Sequence, residues 1–178
     1  MNATYGPPGH RTDPSAAAPA TEAPSLASWE RAMQRGHQAT AQGHTGVALR
    51  HTRQALDVAR ALLAARLVSA GLSRQAPDDT DHRIAALVVS HHNLADLYHT
   101  AHLPDQAAAH VCHAHATLMA LLASPDTDTP LQQAAWRHSR ETHAALLLFV
   151  REKGPHPAVV TALHDHAHPA LLCGETRH

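Results

Sequence analysis

Residues 90–118 read SHHNLADLYHTAHLPDQAAAHVCHAHATL, and this stretch decides the fold class. Ile84, Leu87, Val88, His91, Leu94, Ala95 and Tyr98 lead into it at the three-and-four spacing of a helix with one buried face. His102-Leu103-Pro104 breaks that helix, and proline is tolerated in the first turn of a new one. Ala107, Val111, Ala114, Leu118 and Leu121 then form a second buried stripe. The small residues Ala95, Ala107 and Ala114 stand where two antiparallel helices must approach, so the stretch reads as an α-hairpin.

An earlier stretch repeats this arrangement. Gly36, Gly43, Ala48 and Ala55 have the same intervals as Ala95, His102, Ala107 and Ala114, displaced by 59 residues. The order small, aromatic, turn, small, small, together with the run Asn93-Leu94-Ala95-Asp96-Leu97-Tyr98, resembles a tetratricopeptide repeat of the kinesin-light-chain style. The likeness is closest over residues 88–121 and weaker over 29–62. His102 departs from the pattern, because that family prefers glycine at the turn.

The resemblance implies a binding scaffold whose first helix in each pair lines a concave groove. The family's ligand-contact offsets fall on His92, Asp96 and His99, with Asn93 beside them. Carried to the first hairpin, the offsets give Met33, His37 and Thr40; a weaker analogy adds Arg140 and Glu141 from the fifth helix. Some relatives clamp a peptide's terminal carboxylate with Lys and Asn. Asn93 is present, but no lysine is expected on this face, so that specificity is not carried over.

The remaining punctuation sets the other elements. Ser28 is expected to cap a helix from Trp29 to about Ala41; Gly43 and Gly46 break the chain, and a second helix follows from about Val47 to Ala70. Gly71 closes it ahead of a loop at 75–80, and the third helix runs from about Asp81 to Ala101. The fourth helix stops at Ser124-Pro125. Thr129 is expected to cap the fifth, with Pro130 at its first position, and Gly154-Pro155 ends it. A short helix from about Pro157 to Leu163 completes a third hairpin. The expected fold is all-α: about three antiparallel helical hairpins over residues 25–165, a disordered leader at 1–24 and a flexible tail at 166–178.

Composition narrows the function. Aromatic residues make up 3% of the 178, so the core must be built from Ala, Leu and Val. A net charge of −1 and a pI near 7.0 give no electrostatic footprint for nucleic acid or an anionic membrane. The longest apolar run, Ala144 to Val150, is far too short to span a bilayer, and the N-terminus lacks a signal-like apolar region. Cys112 and Cys173 make no disulfide framework, which favours a reducing cytoplasm. No nucleophile elbow, phosphate loop or dinucleotide fingerprint occurs. The expected role is therefore a non-catalytic adaptor for a protein or peptide, with an exposed terminal face that could pair with a second copy.

The 19 histidines call for a separate account. Lysine occurs once, at Lys153, among 14 Lys and Arg residues, which reads as the coding bias of a GC-rich bacterial genome. Histidine then substitutes for Lys, Asn or Gln on the surface. The alternative is metal binding. His92, Asp96 and His99 project from one helix face and form half of a site for Zn²⁺, Ni²⁺ or Cu²⁺. His164, His166 and His168 form a tract able to chelate the same ions loosely. His110 and His113 share a face that Cys112 and His115 do not, Cys112 is expected to fill an apolar gap, and His91 is expected to be a hydrogen-bonded core residue.

Overall fold

The computed structural model describes residues 23–69 and 79–165, which form six helices. They are α1 (Leu26–Ala41), α2 (Thr45–Ser69), α3 (Thr80–Thr100), α4 (Pro104–Ala123), α5 (Thr129–Lys153) and α6 (Pro157–Asp165). Among the described residues there is no strand. The leader at 1–22, Ala70, Gly71, the loop residues 75–78, and the tail from 166 lie outside the described residues.

Capping shifts two helix starts from the positions expected. Ser25, not Ser28, caps α1: its Oγ accepts from the Ser28 N–H at 3.1 Å, and Ser28 Oγ reaches back to the Ser25 N–H at 3.0 Å. Ser28 instead closes the reciprocal capping box, three residues into the turn. At α5 the cap is Asp128, whose Oδ1 accepts from the Leu131 N–H at 3.2 Å. A carboxylate is a stronger acceptor at a helix N-terminus than the Thr129 hydroxyl. Gly46 does not interrupt the chain; Gly43 alone turns it, at φ 74°, and α2 starts at Thr45.

The first two hairpins turn through the same hydrogen bonds. After α1, the Gly43 N–H donates to Thr40 O and the His44 N–H to Ala39 O, both at 2.9 Å. After α3, the His102 N–H donates to His99 O and the Leu103 N–H to Tyr98 O, again at 2.9 Å. The two N–H groups satisfy carbonyls that a helix end otherwise leaves bare. His102 adopts φ 59° to do so, the left-handed conformation that glycine adopts at position 43.

The helices pack as consecutive antiparallel pairs, α1 with α2, α3 with α4, and α5 with α6, and each pair docks on the next. α3 is central and touches α1, α2, α4 and α5. Among the described residues, the backbones of α2 and α4 do not approach within 8 Å of each other. The main core joins Leu56 and Ala59 of α2 to Ile84, Leu87 and Leu94 of α3 and Leu118 of α4, and continues through Leu131 and Leu146 to Val159. Alanines at 0% exposure (Ala48, Ala55, Ala107, Ala114) mark the close crossings. Cys112 packs against this core, and burial raises its thiol pKa.

A candidate binding groove between α3 and α5

On α3, residues 92, 96 and 99 project on one side, as four-and-three spacing requires. That side faces the C-terminal half of α5. His92, Asp96 and His99 line a cleft of about 170 Å³ together with Glu152 and Lys153. Its apolar surface comes from Ala95, Val111, Ala145, Leu148 and Phe149. A second depression continues from His92 along α5 past Glu141, Leu147 and Arg151. The groove thus has an apolar floor and a rim that carries both signs of charge.

His92 sits at the junction of the two depressions. Its Nε2 is buried without a hydrogen-bond partner. Burial lowers its pKa, opposed by the carboxylates of Glu141 and Asp96. Glu141 is itself held, accepting from His138 Nδ1 at 2.8 Å, and the other face of His138 lies 3.3 Å from Asp81. Arg137 closes this chain of charges with a 2.7 Å contact to Asp81. The Glu141 carboxylate is therefore fixed where it can act on His92.

A protein-family model described as "Protein of unknown function (DUF2753)" matches residues 27–171. The chain belongs to the DUF2753 family. The match runs from the first turn of α1 through α6, so all three hairpins fall within the DUF2753 module. Among curated proteins and among solved structures, nothing matches the chain.

The DUF2753 structure gathers only part of the expected set in the groove. His92, Asp96 and His99 line it, as does Glu141. His37 and Asn93 lie beside it, joined by a 2.9 Å hydrogen bond that ties α1 to α3. Thr40 is exposed and its hydroxyl turns back to Gly36 O, at 3.0 Å. Met33 is not in the groove: it is buried between α1 and α2 with Ala32 and Ala55. Arg140 is also elsewhere. One helix position from Glu141 is a rotation of about 100°, so its guanidinium lies 4.2 Å from the centre of the Trp136 ring and lines a different depression, with His115, His143 and Leu163.

Among the described residues, no three His, Cys, Asp or Glu side chains gather to hold a metal ion. His92 is partly buried, and Asp96 and His99, which line the same cleft, are exposed. His164 belongs to the last turn of α6, and His166 and His168 lie outside the described residues.

Beyond Glu141, sequence reasoning missed the α5 wall. Lys153, the lysine thought absent from this face, lines the cleft within 4.0 Å of Glu152. A signal for the wall was present in Ala144 to Val150, an apolar run with more large side chains than one helix stripe can bury. Leu146 and Phe149 go inside; Leu147 and Leu148 remain exposed at 51% and 43%. Among the described residues, no helix is long and apolar enough to cross a membrane.

Proposed function

We propose that this DUF2753 protein is a non-catalytic, tetratricopeptide-like adaptor that holds a segment of a partner protein in the α3/α5 groove. One observation carries the reading. A buried imidazole nitrogen without a partner, His92 Nε2, lies against exposed apolar side chains of α5 in a cleft with a rim of mixed charge. A bound segment would set apolar side chains on Leu148 and Phe149 and place a polar group against His92. The repeated turn geometry at Gly43 and His102 supports the tetratricopeptide likeness. A reducing compartment, the cytoplasm, suits the free thiol of Cys112.

Photocrosslinking tests the groove. A benzophenone side chain at Leu148 should capture a partner in cells, and Asp96→Lys or His92→Ala should abolish that capture. Arg140→Glu, in the neighbouring depression lined by His115 and His143, should not. Capture that persists in Asp96→Lys and His92→Ala would refute the groove as the binding surface.

A further inference from the structure

The α2/α4 side of the molecule is chemically unlike the groove. Because α2 and α4 stand apart, the surface of α3 shows between them as the floor of a cleft of about 280 Å³. Arg53 and Arg60 are seven residues apart on α2 and so project on one side. Arg53 donates to the Tyr98 hydroxyl through Nε at 2.9 Å. The Tyr98 ring stacks on His110 with centroids 5.3 Å apart. His110 Nδ1 in turn meets Nδ1 of the buried His91 at 3.0 Å, and the His113 ring lies 6.1 Å from His91.

Arg53 and Arg60 bring fixed positive charge beside these neutral imidazoles, with little to balance it. The charged groups that act on His91 are His110, Arg60, His113 and His92, and each disfavours its protonated form. Those acting on His110 are His113, Arg60 and Arg53, with the same sign. The nearby carboxylate, Asp57, makes only a loose 3.9 Å contact with Arg60, is itself exposed, and acts on neither histidine of the pair. Leu63, Leu67 and Leu87 line the other end of the cleft. A cationic end adjoining an apolar end matches a ligand with a charged head and a hydrocarbon body.

We propose that the α2/α4 cleft binds a small amphiphilic anion, a carboxylate or phosphate ester, with its head toward Arg60, His91 and His113 and its chain against Leu63, Leu67 and Leu87. The site is separate from the α3/α5 groove and does not depend on it.

Titration calorimetry on the full chain with octanoate and octyl phosphate tests this, with octan-1-ol and inorganic phosphate as the headless and tailless probes. At least one of the two amphiphiles should bind, and which one does identifies the head group. The two control probes should bind at least about tenfold more weakly. Arg60 and His113 are exposed, so Arg60→Gln and His113→Gln should fold normally; the first should weaken binding about tenfold or more. Asp96→Lys, in the other groove, should leave it unchanged. No heat with either amphiphile at about 5 mM, equal binding of a control probe, or indifference to Arg60→Gln would overturn the proposal.

Discussion

Gly36 on α1 and Thr52 on α2 meet so closely that a Cβ on residue 36 would lie 2.7 Å from the Thr52 hydroxyl oxygen. Thr52 cannot easily yield, because its hydroxyl donates to Ala48 O at 2.9 Å and its side chain is fully buried and β-branched. Alanine in a helix interior normally gains about 1 kcal/mol over glycine. Here the crossing helices would have to separate, so Gly36→Ala should destabilise by about 1–3 kcal/mol. Urea unfolding measures it. Thr52→Ala removes the obstacle, so the double variant should recover most of the loss relative to Thr52→Ala alone. A Gly36→Ala protein as stable as the parent would contradict this packing.

The turn after α3 carries strain that the turn after α1 avoids. His102 at φ 59° places a Cβ where Gly43 has none, although both donate the same hydrogen bond. His102→Gly should therefore raise stability by about 1 kcal/mol, less the chain entropy glycine adds to the unfolded state. Gly43→Ala should lower stability by a similar amount. Thermal unfolding of the two variants should move in opposite directions.

The hairpins were legible because their signals are local. Interhelical approach needs Gly36, Ala48, Ala95 and Ala107 to be small, a corner needs a residue that accepts positive φ, and both recur at fixed intervals. The groove was legible mainly along α3, where His92, Asp96 and His99 follow from spacing on one element; on α5 only Glu141 was reached, by analogy. Its α5 wall depends on how α5 is rotated against α3, and a single position separates Glu141 inside from Arg140 outside. Nothing local encodes that rotation. Met33 misled for a related reason: the offset that reaches the groove on α3 reaches the α1–α2 core on α1. The His91–His110 contact joins two helices, so neither periodicity alone could reveal it.

Asp128 joins two parts of the fold that are distant in sequence. One oxygen caps α5; the other accepts from Arg66 of α2 at 2.7 Å, while Arg66 Nε donates to the buried Thr80 at 2.8 Å. Asp128→Ala loses both the cap and the counter-charge and should cost about 1–3 kcal/mol. Asp128→Asn keeps a capping oxygen and should cost less. The difference between the two should persist in high salt, since capping is less sensitive to screening than an ion pair. Equal losses for Ala and Asn would show that the cap contributes little.

Acid should loosen the α3–α4 seam before any carboxylate titrates. Burial and neighbouring positive groups hold the His91 pKa down to about 3 and that of His110 to about 4, against 6.5 for a free imidazole. Below pH 6.5 the unfolded chain takes up protons at these positions that the folded chain refuses, so stability falls with falling pH. Each such histidine contributes a slope of up to about 1.4 kcal/mol per pH unit. Urea midpoints should be level above pH 7 and decline between 6.5 and 5, a window in which ordinary carboxylates remain ionised. His110→Gln removes one proton-refusing group and eases the burden on His91, so its decline should be shallower than that of the parent. A parent protein equally stable at pH 7 and pH 5, or a His110→Gln variant with an undiminished slope, would mean that the facing imidazoles do not govern its acid sensitivity.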